Sequence, residues 1–258
     1  MRTRFLLPIA ILGILGVAPR PVTLFLVGDS TMAQKLASKR PETGWGEALQ
    51  QYFDVDQVRV VNLARNGRST LSFRNEGRWD AMLEELKPGD YVFNQYGHND
   101  EKSENPAVYA DARTDYPRNL ARFASEARAR GAHPVLLTPV ARRRFAPDGT
   151  VQDTHGAYPD AVRTVARGES IPLIDMQRRS TAILREYGEA GSRALFLHVD
   201  SAANHPNYPR GVRDDTHFSS FGAEVMARQV AEGIREAVPE LARYLDPALA
   251  PAPLSSAR

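Results

Sequence analysis

The 258-residue chain contains no cysteine. Disulfides are excluded, and stability has to come from packing alone. Charge of one sign is also lacking. The 33 Lys and Arg residues stand against 31 Asp and Glu, so overall charge gives no reason to expect a nucleic-acid partner. Arg142-Arg143-Arg144 is the one tight basic cluster, the kind of run that is usually a solvated loop. There is no internal repeat, and no Gly/Ser-rich linker divides the chain. At 42% hydrophobic and 25% charged residues, the composition is that of an ordinary globular protein whose core needs no staples.

A bilayer-spanning apolar run is missing too. The longest, Phe5 to Ala18, has 14 residues, whereas a transmembrane helix needs roughly 20. It follows the basic Met1-Arg2-Thr3-Arg4, is interrupted by Pro8 and ends in Gly16-Val17-Ala18, a small-x-small site. This is the pattern of a secretory signal covering residues 1–18 and cleaved after Ala18. Loss of Arg2 and Arg4 with it takes the formal charge from +2 to zero. The expectation is a secreted or periplasmic protein without a stable membrane anchor, with one domain over 21–245 and a disordered Pro/Ala-rich tail over 246–258.

Within that domain, short apolar runs alternate with segments of helical character. Strands are expected at 22–27, 58–63, 90–96, 133–140 and 171–176. Most are apolar without strict alternation, as in strands covered on both faces. Helices are expected at about 44–53, 78–86, 115–130, 157–168, 176–188 and 220–236. In the third, Leu120, Phe123, Ala124 and Ala127 make one apolar face and Gly131 stands where the helix should stop. The alternation implies an α/β fold with a parallel sheet between helices, which binds ligands at the carboxyl ends of its strands.

The residues that follow those strands carry chemistry. Gly28-Asp29-Ser30-Thr31 follows the first, Gly67 lies just beyond the second, and Gly97-His98-Asn99-Asp100 follows the third; Asp214-Asp215-Thr216-His217 precedes the last helix. These are the components of a serine esterase. A serine hydroxyl needs an imidazole to take its proton, and the imidazole needs an acid to fix its tautomer. Asp214 and His217, three apart, can meet through the far ring nitrogen. Asp215 is an immediate chain neighbour that points the wrong way. The N–H groups of Ser30 and Gly67 and the amide of Asn99 would serve a developing oxyanion. No G-x-S-x-G elbow occurs, which disfavours the α/β-hydrolase version of this chemistry.

The four blocks GDS, a downstream Gly, G-x-N-D and D-x-x-H, in this order from Val22 to about Ile234, resemble those of the SGNH (GDSL-type) hydrolases. The wording of "GDSTMAQ", "ARNGRSTLSF", "EGRWD", "KPGDYVFNQYGHNDEK", "LLTPVARRRF" and "DTHGAYP" is similar to the rhamnogalacturonan acetylesterase branch. The resemblance implies a flavodoxin-like three-layer α/β/α fold with a five-stranded parallel sheet and no metal or other cofactor. It implies Ser30 as nucleophile, His217 as base and Asp214 as its partner, with Ser30, Gly67 and Asn99 forming the oxyanion hole. It also places the His155 loop near the substrate, taken to be acetylated plant cell-wall polysaccharide or oligosaccharide.

Blander roles stand beside these. Ser30 could cap a following helix, and could do so while acting as nucleophile. Asp29 reads as a structural acid that binds nearby backbone N–H groups. His98 could line the pocket or scaffold its loop. Trp45 could stack on a sugar, although core packing is the commoner fate of such a residue. The two acids and the histidine of "DDTHF" lack the ligand spacing of a metal site. Rival functions are an acetylxylan or broad small-acyl esterase, a non-catalytic carbohydrate-binding protein, and a structural envelope protein.

Overall fold

The computed structural model describes residues 20–249. In chain order the elements are β1 (Val22–Gly28), β2 (Val58–Asn62), α1 (Thr70–Asn75), α2 (Arg78–Glu85), β3 (Tyr91–Gln95), α3 (Asp115–Ala129), β4 (His133–Leu137), α4 (Tyr158–Gly168), β5 (Leu173–Ile174), α5 (Met176–Gly191), β6 (Phe196–Val199), β7 (Val212–Phe218), α6 (Ser220–Ala237) and α7 (Pro239–Ala242). The first five strands form one parallel sheet in the order β2-β1-β3-β4-β5. This is the flavodoxin-like doubly wound order.

Period-two alternation along strands that are apolar on both sides creates two cores. Leu24, Leu26, Phe93, Val135 and Leu137 enter one, closed by residues of α5, α6 and α7. Phe25, Val27, Val92 and Leu136 enter the other, closed by α1, α2, α3 and α4. Helix–sheet–helix layering follows directly. The apolar face expected on α3 is buried as read, with Leu120, Phe123, Ala124 and Ala127 all inside.

Four local expectations change. Segment 44–53 forms two 3-10 turns, Trp45–Glu47 and Leu49–Tyr52, instead of a helix. Its amides serve the loop after β1: Trp45 N–H donates to Thr31 C=O at 3.0 Å and Gly46 N–H to Met32 C=O at 3.2 Å. Only Leu173 and Ile174 of the fifth apolar run pair with β4. Helical geometry in α5 breaks at Gly188, where φ is 65° and ψ 178°, at the end expected for that helix. Finally, β6 and β7 form a separate antiparallel sheet, so the Asp214–His217 segment lies on a strand and not in a loop. Residues 246–249, expected in the tail, are tied down by Asp246 N–H to Tyr52 C=O at 2.9 Å and a 3-10 turn over Pro247–Leu249. The signal segment 1–18 and residues 250–258 lie outside the described residues.

Helix α6 starts immediately beyond β7 and is pressed against the chain before β6. A Cβ added at Gly222 would lie 1.8 Å from the Leu195 carbonyl oxygen, and backbone cannot swing aside as a side chain can. Gly222→Ala should therefore lower stability by about 3 kcal/mol or more, a fall of roughly 6–12 °C in Tm for a chain of this size. Gly168→Ala, at the open end of α4 where no atom lies within 4 Å, should be neutral or slightly stabilising. Thermal melts of the two variants check the contrast.

Candidate active site

In the order β2-β1-β3, the connections from β1 leave toward opposite sides, which opens a crevice at the carboxyl ends of β1 and β3. Ser30 stands at this switch point, two residues past β1. It does not cap a helix. The chain turns once, with Met32 and Ala33 N–H both donating to Asp29 C=O, and no α-helix follows before β2. The turn is fixed from below by Asp29, whose Oδ1 accepts from Thr31 N–H at 2.9 Å and from the Thr31 hydroxyl at 2.8 Å. Gln95, the last residue of β3, donates to Thr31 Oγ1 at 2.7 Å and accepts from the Trp45 indole at 3.0 Å. Trp45 is fully buried and so belongs to this support, not to a sugar platform.

The imidazole arrives from the hairpin. His217 Nε2 lies 2.9 Å from Ser30 Oγ, and His217 Nδ1 lies 2.7 Å from Asp214 Oδ2. The other oxygen of Asp214 accepts from Thr216 and His217 N–H at 2.8 and 2.9 Å. Burial alone would raise the Asp214 carboxyl. The hydrogen bonds and charge of His217, with the backbone donors, outweigh it and hold the group down at about 2. An ionised Asp214 keeps the proton on Nδ1 and leaves Nε2 free to accept from the serine. Asp215 faces elsewhere, bonded to Arg143 and His198, each at 2.9 Å.

Gly67 has φ +76° with nothing within 4 Å of where a Cβ would sit. Glycine is needed there for the backbone angle, and the amide is left bare. Neither the Ser30 nor the Gly67 N–H donates to another backbone carbonyl among the described residues. Asn99 Nδ2 donates one hydrogen to Arg68 C=O at 3.0 Å, and Asn99 Oδ1 accepts from Lys102 at 2.8 Å. The amide is thereby oriented with its second N–H to spare.

Beneath these groups lies a layer of buried polar side chains. His98 Nδ1 faces Asp29 Oδ2 at 3.4 Å, too poorly aligned for a hydrogen bond. Burial holds His98 down at about 4 despite the attraction of Asp29. For Asp29 burial raises the pKa, but His98 and the Thr31 donors bring it to about 2. His155 is 3% exposed. Its Nδ1 lies 2.9 Å from Glu101 Oε2 and its Nε2 2.8 Å from Val140 C=O, while its ring packs edge-on against His98. With both nitrogens engaged, His155 belongs to the buried support of the Asn99 loop and offers no free nitrogen to a substrate. That corrects its reading as a contact residue.

Lys35 carries no motif in the sequence, yet it ties two of these loops together. Its fully buried ammonium donates to Ser30 C=O at 2.5 Å and to Asn66 Oδ1 at 3.0 Å, and pairs with Glu42 at 2.7 Å. It therefore holds the Ser30 turn against the residue before Gly67. A lysine after "MAQ" reads as a surface charge, and only the loop closure buries it.

A hydroxyl, imidazole and carboxylate joined by short hydrogen bonds, beside bare N–H donors at the carboxyl edge of a parallel sheet, define a serine-hydrolase type of site. The chain belongs to the GDSL-like lipase/acylhydrolase family, whose pattern it matches over residues 26–225, and it is an SGNH-type esterase. It is 41% identical over 217 residues to the rhamnogalacturonan acetylesterase RhgT of Bacillus subtilis, covering 84% of this chain and 91% of that one. A probable rhamnogalacturonan acetylesterase of the same organism, YesY, is 35% identical over 83% of this chain and 92% of its own. The crystal structure of B. subtilis YxiM superimposes with a TM-score of 0.72 at 26% identity over 84% of this chain; the match spans only 56% of YxiM. No described helix is long and apolar enough to cross a membrane.

Asp100, next to Asn99, offers a test of the buried layer. Burial raises its carboxyl to about 7, against the two Thr70 donors that favour the anion. The folded chain therefore keeps a proton that the unfolded chain releases, and this contribution to stability is lost as pH rises from about 4 to about 7. His98 runs the other way, its contribution present above about 6.5 and lost as pH falls through about 4. Asp100→Asn, neutral at every pH and of the same shape, isolates the first effect. Its stability relative to the parent should rise between about pH 4.5 and about pH 7.5 in urea unfolding. A difference that does not move with pH sinks the assignment.

Proposed function

We propose that the protein is a carbohydrate O-acetylesterase that releases acetate from acetylated rhamnogalacturonan through an acetyl-Ser30 intermediate. The carrying observation is the unbroken chain Ser30 Oγ–His217–Asp214 at 2.9 and 2.7 Å. The substrate assignment is supported by the similarity to RhgT and YesY over most of both chains.

In this mechanism Ser30 Oγ attacks the acetyl carbonyl carbon as its proton passes to His217 Nε2. Asp214 stabilises the resulting imidazolium. The oxyanion is met by the N–H groups of Ser30 and Gly67 and the free amide hydrogen of Asn99. The bond between the carbonyl carbon and the sugar oxygen then breaks, and that oxygen takes the proton from Nε2. Water next gives a proton to Nε2 and attacks the acetyl-enzyme, and acetate leaves as Ser30 Oγ regains its hydrogen.

Ser30→Ala should lower acetate release by on the order of 10⁶-fold with the fold intact. Asn99→Ala should cost about 3 kcal/mol of transition-state stabilisation. Asp214→Asn should lower kcat by roughly 10³- to 10⁴-fold, whereas Asp215→Asn should act mainly on stability by freeing Arg143 and His198. Acetate release from acetylated rhamnogalacturonan, with acetylated xylan alongside, measures all four. Equal loss at Asp214 and Asp215, or faster release from xylan, would reverse the corresponding part. We further propose that residues 1–18 are a cleaved export signal; the exported protein should then begin at Pro19 by intact mass, and a retained Met1 would overturn that location.

A further inference from the structure

The β6–β7 hairpin that delivers His217 also carries a hollow of about 510 Å³ lined by Arg193, His198, Asp200, Arg210 and Arg213, among others. We propose that it is a subsite for the carboxylates of uronic acid residues in the substrate backbone. The naming of the acid as a uronate rests on the polysaccharide reading above.

Charge at the hollow is one-sided, although the chain as a whole is nearly balanced. Three guanidinium groups line it with a single carboxylate. None of Arg193, Arg210 and Arg213 makes an ion pair or a side-chain hydrogen bond among the described residues. Many other arginines of this chain are paired, as Arg143 is with Asp215 and Arg163 with Asp175. Asp200 offsets only one of the three positive charges, and it makes no ion pair with these arginines among the described residues; one of its oxygens accepts from Ala202 N–H at 2.9 Å to cap the turn that follows. Planar guanidinium groups with free N–H edges suit carboxylates, which they hold through paired hydrogen bonds.

Position supports a subsite of the same reaction. Arg213 lies on β7 four residues before His217, about 13 Å along the strand at ~3.3 Å per residue. Alternation puts Arg213 and Asp215 on one face of β7, where both are exposed, and His198 of the hollow is bonded to Asp215. The loop between β6 and β7 is held in place rather than loose. Asn207 Nδ2 donates to Ala37 and Arg40 C=O, each at 2.8 Å, and the Tyr208 hydroxyl to Lys39 C=O at 2.9 Å. The cluster is therefore fixed relative to the segment that follows Ser30, on the same hairpin that delivers His217.

The test compares the parent with R193Q/R210Q/R213Q and with R59Q/R167Q/R185Q, which removes three exposed and unpaired arginines elsewhere. The probes are a galacturonate oligomer without acetyl groups, titrated calorimetrically at low and high salt, and acetylated rhamnogalacturonan assayed beside a small neutral acetyl ester. The parent should bind the oligomer with an affinity that falls as salt rises. The first triple variant should lose about tenfold in that affinity, and a similar factor in the ratio of polymer to neutral-ester kcat/KM. The distant triple variant should keep both. Equal binding by parent and first variant, or equal losses in the two triple variants, would overturn the subsite. If the polymer is not deacetylated but the oligomer still binds and is lost only in the first variant, the subsite stands and the substrate reading fails.

Discussion

The contact between Ser30 Oγ and His217 Nε2 joins residues 187 apart in the chain, and the rest of the molecule is arranged around closing that gap. The serine is delivered by a central strand of the sheet, the histidine by a hairpin outside it. A backbone hydrogen bond from Thr43 N–H to Phe218 C=O stitches the two together one residue beyond the imidazole. Ser219 then caps α6, and its hydroxyl donates to Ala194 C=O at the foot of β6. Because α6 packs Val225, Met226 and Val230 into the core, hairpin position is coupled to burial of a whole helix. A hydrogen bond of modest net worth in water is thus held at reacting distance by packing energy from elsewhere.

Electrostatics impose a second constraint on the same few ångströms. An esterase site has to hold the imidazole proton on Nδ1, so that Nε2 can accept from the serine, and then stabilise the imidazolium that forms as negative charge develops on the substrate. The acid that accomplishes this, Asp214, sits where it takes three hydrogen bonds and remains an anion. Below it the fold distributes protons differently. Asp29 remains charged with donors from Thr31, His98 is held neutral by burial, and Asp100 retains its proton into the neutral range. Of the two fully buried acids in that layer, Asp29 carries its charge with donors from Thr31, while Asp100 is pushed by burial toward its protonated form. A second negative charge there would oppose the oxyanion, so protonating Asp100 is the arrangement the chemistry favours.

The sequence was most readable where one signal dominated. Buried parallel strands announce themselves as apolar runs, and the chemistry at their carboxyl ends, Ser30, Gly67 and Asn99, could be located once the runs were found. It was less readable where a local pattern served a distant partner. Trp45, Ala48, Leu49 and Tyr52 have helical spacing, but Thr31 and Met32 claim the amides that a helix would use. Ser30 has the chemistry of a cap and no helix to cap. Strand β7 reads as a loop because acids and threonine fill it: β6 is its strand partner, and Arg213 and Asp215 are left to solvent. A histidine read as a substrate contact is a buried support, and Lys35, for which the sequence offered no role, ties two loops of the site together.

The choice between Asp214 and Asp215 shows how a strand resolves what a loop would leave open. Neighbours on an extended strand project to opposite faces, so only one of the pair can share the site with the imidazole. Asp215 takes the outer face, with Arg213 on the same side, and is held there by Arg143 and His198. Asp214 takes the inner face. By itself, alternation would put His217 on the outer side with Asp215. The Asp214 carboxylate prevents this by accepting the N–H groups of both Thr216 and His217, which bends the strand end and folds the imidazole back toward its own acid. The same carboxylate therefore sets the direction of the histidine through the backbone and its tautomer through the ring.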